Sequence, residues 1–400
     1  MRALVLRLLS PRRCSMSQRI YLDWNATAPV LPEVREAMVE ALGAVHGNAS
    51  SIHREGQAAR AVVERARRAV ARAVGAPAQA VVLTAGATES NNQVLRQHAR
   101  QTTDPFIVCT VVEHPSVLET VRALEKQGVR VALWPVDSKG RLQKGWLKEQ
   151  LNAGATLVSV MWANNEIGNI YDIAAIGAEV QAAGATFHVD GTQALGRIPM
   201  DFASSHIDYM TLSFHKMGGP KGIGAIVTRE GLIVEALLTG GHQERGRRPG
   251  TENVPAAAGL EAAARALGTQ LDTWREALGE RRHSFIEALQ SQIEGMELRG
   301  DTEHQLLNTL NVAFEGVDGE DLLLAIDLEG ISASSGSACT AGSLEPSHVV
   351  LAMGFDEPSA RRSVRLSFGP HTPMDDLERA ASIIAAVVTR LRAMGVNSPV

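Results

Sequence analysis

Between residues 80 and 230 short apolar runs alternate with helix-length segments, and this alternation constrains the fold more than any other feature of the chain. The runs at 81–84, 106–110, 131–134, 157–161, 186–189, 209–213 and 224–228 are four or five residues long, most of them rich in β-branched side chains. They lie near Gly, Pro, Asn or Asp, so they read as buried strands bounded by turns. Segments such as 116–127 and 173–183 are long enough to be helices between them. Strands that are apolar throughout need cover on both faces. The pattern therefore predicts an α/β domain with a mostly parallel seven-stranded sheet clad in helices.

Residues 254–294 are rich in Ala, Leu, Glu and Arg, with Pro255 near the start, and read as one or two long helices leading away from that sheet. Further strands at 307–314, 331–333 and 363–368, with helices near 320–329 and 374–394, form a smaller α+β unit. The predicted division is a disordered leader at 1–20, a large domain at 21–265 and a small C-terminal domain at 266–400. The first residues of the large domain are expected to pack with the small one. The small domain carries the loop 334–343, made almost wholly of Ser, Gly, Ala and Thr.

Charge and cysteine content narrow the function. There are 39 basic and 44 acidic side chains, a formal net charge of −5, which argues against general nucleic-acid binding. No apolar run approaches the ~18–20 residues that span a bilayer, so no membrane partner is expected. The leader holds Arg2, Arg7, Arg12, Arg13 and Arg19, with no acid before Asp23. It reads as a dispensable leader, with Met16 as an alternative start, or as an organellar presequence. The three cysteines, Cys14, Cys109 and Cys339, contain no CxxC pair and exclude both a disulfide framework and a self-contained zinc site. A reducing, cytoplasmic location is expected.

Several constellations carry chemistry. In 84–92, Gly86 opens a helix after a buried strand, where Thr88 and backbone N–H groups suit a phosphate. The plain alternative is Thr88 or Ser90 capping the helix. Asp190 ends a buried strand and needs a cationic partner such as a protonated pyridine nitrogen, unless it is only a cap. Ser213, His215 and Lys216 arrive together at a Gly-rich turn, where a partly buried Lys is an amine nucleophile and a solvated one is not. Cys109 fits a strand core and Cys14 an inert leader, whereas Cys339 in a polar loop reads as a reactive thiol. Arg365 in an apolar strand needs an anion, either a substrate carboxylate or an internal ion pair. The Gly/Arg-rich loop 240–251 is a basic surface segment or reaches a neighbouring subunit's phosphate site.

As a set, the phosphate turn, His114, Asp190 and Lys216 resemble the large domain of fold-type I pyridoxal-phosphate enzymes. With Cys339 added, the chain resembles the cysteine desulfurases of the NifS/IscS group, from about residue 21 to 390. The motifs that carry this are Gly47-Asn-Ala-Ser-Ser-Ile-His53, Gly86-Ala-Thr-Glu-Ser-Asn-Asn92, Glu113-His-Pro-Ser116, Asn164-Asn-Glu-Ile-Gly168, Ser213-Phe-His-Lys216 and Arg247-Arg-Pro-Gly-Thr-Glu-Asn253. The resemblance implies that Lys216 holds pyridoxal 5'-phosphate covalently and Asp190 pairs with its ring nitrogen. His114 would stack on the ring, with Gln193 and Asn165 near its hydroxyl. Ala87, Thr88, Ser213 and His215 would hold the phosphate, and Thr251 would reach that of a partner subunit in a homodimer. Arg365, with Asn165 nearby, would bind the substrate carboxylate. The implied activity converts L-cysteine to L-alanine, with sulfur captured as a persulfide on Cys339. Acceptor proteins, including iron–sulfur scaffolds, would take it on. No intrinsic metal is implied, although Cys339 could transiently ligate an iron–sulfur cluster. Rivals are a selenocysteine lyase, an aminotransferase of the same fold, or a non-catalytic scaffold.

Overall fold

A computed structural model describes residues 19–335 and 345–395. Its strands, in chain order, are β1 (Ile20–Tyr21), β2 (Val81–Thr84), β3 (Phe106–Thr110), β4 (Arg130–Trp134), β5 (Leu157–Met161) and β6 (Thr186–Asp190). They continue as β7 (Tyr209–Ser213), β8 (Gly224–Thr228), β9 (Met296–Arg299), β10 (Thr309–Phe314), β11 (Ile331–Ser332) and β12 (Val364–Ser367). The expected seven-stranded sheet is present, in the order β2-β8-β7-β6-β5-β3-β4. β8 is antiparallel to both its neighbours and every other pair in this sheet is parallel.

The sequence pattern explains this arrangement. Strands β3, β5, β7 and β8 are buried at every position, as a sheet covered on both faces requires. β4 lies at an edge and is the exception, with Arg130 and Leu133 exposed. Because only β8 is reversed, β2, β3, β5, β6 and β7 all end on one edge of the sheet. That edge is where open α/β sheets place ligands.

Two helices, Arg54–Ala73 and Val254–Gln290, cover one face. Val62, Val63, Ala66 and Val70 of the first meet Leu260, Ala263 and Leu267 of the second in the main core. The second helix is a single element of 37 residues. It runs unbroken through residue 265 and adds Leu278, Phe285 and Leu289 to a separate core. That second core belongs to a three-stranded antiparallel sheet, β12-β10-β9, backed by the helix Met374–Gly395. Ile20 and Leu22 also pack there, since β1 pairs in parallel with β11. Among the described residues no helix is long and apolar enough to cross a membrane.

Candidate active site

The strand ends converge on a cavity of about 650 Å³. β2 runs into the turn Ala85–Gly86 and then the helix Ala87–Gln101. Gly86 has φ 155°, a conformation L side chains avoid, and a Cβ there would stand 3.9 Å from Ser213 Oγ. Gly86 is the cap residue, and no side chain caps the helix. The helix therefore presents uncapped N–H groups beside Ala87 and Thr88, both of which line the cavity. Ser90 turns inward instead, 2.8 Å from Thr84 Oγ1.

Strand β6 delivers Asp190, only 5% exposed. Its Oδ1 accepts from Thr192 N–H at 2.9 Å and its Oδ2 from Asn91 Nδ2 at 2.8 Å. It thus caps the following turn as the plain reading allowed. Among the described residues no Lys or Arg forms an ion pair with it, so a cationic ligand atom remains the natural charge partner. Asn91 also accepts from Thr211 Oγ1 at 2.5 Å and donates to Ser116 Oγ at 2.8 Å.

Strand β3 leads to Glu113 and His114. The Nδ1 of His114 accepts the Ser116 backbone N–H at 3.1 Å, which caps the helix Pro115–Glu125. Burial, then the nearby Lys216, depress this imidazole to about 4. Glu113 is fully buried, and burial raises its carboxyl to about 8 despite hydrogen bonds from Thr110 Oγ1 and Met161 N, both at 2.7 Å. Just after β7 stand His215 and Lys216, both half-buried. His215 is depressed to about 4 by burial and the cations Lys216, Lys221 and Arg197. Lys221 is exposed, yet it borders the cavity. Buried Arg197 bonds Gln193 and donates to Lys216 O at 3.1 Å, and burial lowers it to about 9.

On the far wall, β12 places Arg365, only 1% exposed. Its Nη2 pairs with Asp23 at 2.8 Å and its Nη1 donates to Asn165 O at 3.0 Å. The internal ion pair and the ligand-facing position therefore coexist. Two buried polar atoms of the lining, Arg365 Nε and Thr192 Oγ1, have no hydrogen-bond partner among the described residues.

Ten of the predicted positions line this one cavity: Ala87, Thr88, His114, Asn165, Asp190, Gln193, Ser213, His215, Lys216 and Arg365. Thr251 lies elsewhere, beside Thr84, Ala85 and Gly222 in an adjoining cavity of about 210 Å³. Its loop is less free than its composition suggested, because Glu244 forms a buried pair with Arg67 and also accepts Leu83 N–H. Cys14 and Cys339 lie outside the described residues. Cys109 is a buried free thiol, raised well above its ordinary value by burial, and so is inert. The sequence pattern alone did not single out Asn25, Asn91, Glu113, Ser116, Thr192 or Arg197.

The donor set fits pyridoxal phosphate. It offers an uncapped helix N-terminus with Ser213 and His215 for an anion, a buried carboxylate with no Lys or Arg paired to it among the described residues, and an amine. The orphaned Thr192 and Arg365 atoms leave hydrogen-bonding capacity for a polar ligand.

Comparison with known proteins agrees. The aminotransferase class-V family matches residues 20–380. A cysteine desulfurase of Nostoc sp. (strain PCC 7120) is 42% identical over 376 residues, which is 94% of each chain. Among solved structures, a NifS-like protein superposes with a TM-score of 0.86 at 31% identity, covering 93% of this chain and 100% of its own. SspA, solved in complex with cysteine, gives a TM-score of 0.79 at 30% identity over 88% of this chain and 100% of its own.

Proposed function

We propose, starting from a chain that belongs to the aminotransferase class-V family of pyridoxal-phosphate enzymes, that it is a cysteine desulfurase releasing alanine from L-cysteine. The observation that carries this is the single cavity joining Lys216, His114 and Asp190 to an uncapped helix N-terminus on one side and Arg365 on the other. Pyridoxal phosphate, when bound, supplies an electron sink for the bond broken at the substrate.

Each residue then has a physical task. Asp190 keeps the ring nitrogen protonated, its own carboxylate held in place by Asn91 and Thr192. Ala87, Thr88, Ser213 and His215 take the phosphate, and the uncapped helix adds its dipole. His114, a neutral imidazole, would lie against the ring. Gln193 and Asn165 would take the ring hydroxyl. Lys216 would hold the cofactor through its amine and is the group placed to move the substrate's Cα proton as base and acid. Arg365, on the cavity wall, would bind the substrate carboxylate.

The sulfur needs a thiolate to receive it. We assign that role to Cys339. Ser334 pairs through its backbone with Arg365, and Cys339 follows five residues later. The thiolate takes the substrate sulfur as a persulfide, the carbon skeleton leaves as alanine, and an acceptor protein takes the sulfur on. Iron–sulfur scaffolds are the class we favour. Thr251, outside its own cavity, supports a homodimer in which it reaches the partner's phosphate.

The test is direct. The purified protein should be yellow with bound cofactor and should release alanine from cysteine. Cys339→Ala should keep the colour and lose persulfide. A colourless protein after reconstitution, or unchanged cysteine turnover in Cys339→Ala, would overturn the proposal.

A further inference from the structure

His114 and Asp190 lie on different elements, yet one side chain joins them. Asn91, fully buried in the helix Ala87–Gln101, donates one amide hydrogen to Asp190 Oδ2 and the other to Ser116 Oγ, both at 2.8 Å. Its carbonyl oxygen accepts from Thr211 Oγ1. The Asp190 carboxylate, which can only accept, fixes which way the amide faces, because reversing it would set Oδ1 against that carboxylate.

The same logic continues at Ser116. Its Oγ accepts from Asn91, so its own hydrogen is left to donate to His114 Nδ1, 2.8 Å away. Nδ1 also receives the Ser116 backbone N–H. A backbone N–H can only donate, so Nδ1 carries no proton. The ring is therefore neutral with its hydrogen on Nε2, and two donors hold it there. Protonating the imidazole would set a new Nδ1–H against both.

We propose that Asn91 is a positioning residue for the reaction. It orients Asp190 directly, and through Ser116 it fixes the tautomer and plane of His114, so that the two side chains addressing the cofactor's ring are set as one unit. This rests on the pyridoxal-phosphate reading of the cavity. The division of labour is specific. Removing the Asn91 amide disturbs both ends, whereas removing the Ser116 hydroxyl disturbs His114 and leaves the bond to Asp190.

The experiment compares Asn91→Ala, Ser116→Ala and Ser116→Thr in the full chain. Two quantities are read: the dissociation constant of pyridoxal phosphate on reconstitution, and the ¹⁵N shifts of His114 in the holoenzyme, assigned by their loss in His114→Ala. Asn91→Ala removes a hydrogen bond to a charged group and should weaken cofactor binding about 10-fold or more. Ser116→Ala should change affinity by less than about threefold but move the His114 shifts toward a mixture of tautomers. Ser116→Thr should restore them. Wild-type affinity in Asn91→Ala, or wild-type His114 shifts in Ser116→Ala, would overturn the proposal. A loss of thermal stability without either change would assign Asn91 to packing alone and also overturn it. Should Asn91→Ala fail to fold, the nearly isosteric Asn91→Leu removes the same amide hydrogens and carries the same expectation and refutation. An unaltered chain that binds no pyridoxal phosphate would refute the underlying reading instead.

Discussion

Glu113 predicts an unusual dependence of stability on pH. The side chain is wholly buried and its carboxyl rises from 4.5 to about 8, chiefly through burial, with Asp190 adding to the rise. Its Oε1 accepts two hydrogen bonds, while Oε2 has no partner among the described residues. The folded state thus keeps a proton that the unfolded chain releases near 4.5. A folded value above the unfolded one means that this stability is fully present below the lower value. It is lost as pH rises through the higher one. At about 1.4 kcal/mol per pH unit, the whole loss is on the order of 5 kcal/mol. Glu113→Gln keeps the accepting oxygen and cannot ionise. In urea unfolding, the variant should gain on the wild type by roughly 3 kcal/mol between about pH 5.5 and 8.5. The depressed His114 and His215 act in the opposite sense, losing stability as pH falls, and both proteins share them. The difference between the two curves therefore isolates Glu113. Parallel curves would refute the assignment of a protonated Glu113 at neutral pH.

Three further outcomes follow from the geometry. Arg67 and Glu244 make a bidentate pair at 2.6 and 2.7 Å, both side chains at most 5% exposed. Glu244→Gln should cost about 1–3 kcal/mol, readable as a lower urea midpoint, because it leaves the buried guanidinium only the part-exposed Glu64 as a charge partner. Asp23 competes for Arg365 Nη2, so Asp23→Asn should lower KM for L-cysteine by about 3- to 10-fold, as expected for a charge pair worth about 1 kcal/mol; an unchanged KM would show that Asp23 does not compete. A Cβ at Gly224 would lie 2.6 Å from Leu212 O and 2.7 Å from Gly86 Cα. Gly224→Ala should therefore push the phosphate turn aside, destabilise by about 1–3 kcal/mol and weaken reconstitution with cofactor, measured by absorbance.

The seven central strands were legible because each is a continuous apolar run, and a buried parallel strand has to be one. The missed elements lack that signal. β1 is two residues long, and its partner lies about 310 residues away in sequence. β9 reads Met-Glu-Leu-Arg, with a charge at every second position. Yet Arg299 is 2% exposed there, held by Ser359 and Ser363 and lying over the Phe355 ring. A charged residue that the fold buries looks exposed in the sequence, since its partners come from distant segments. The reversal of β8 was also illegible. Its five residues, Gly-Ala-Ile-Val-Thr, are as apolar as those of its parallel neighbours. Direction is set by the short connection from β7, in which the chain turns back through the glycines that follow Lys216.

The site divides along the same line. Residues that touch ligand stand at strand ends or beside glycines, and local pattern exposes them. Residues that hold those in place are polar side chains inside ordinary elements. Asn91 sits one turn into an amphipathic helix, where Asn usually faces water, and 99 residues separate it from Asp190. Glu113 precedes a conspicuous His and is hidden by it. Asp23 lies near the start of the chain and meets Arg365 across 342 positions. Each is a polar group placed in a low-dielectric interior, where an unsatisfied partner costs about 1–3 kcal/mol. Such a group persists only where its bonds are made. The buried hydrogen-bond pattern is therefore where this fold specifies its chemistry: it fixes the proton on His114, the orientation of Asp190 and the angle of Arg365 before any ligand arrives.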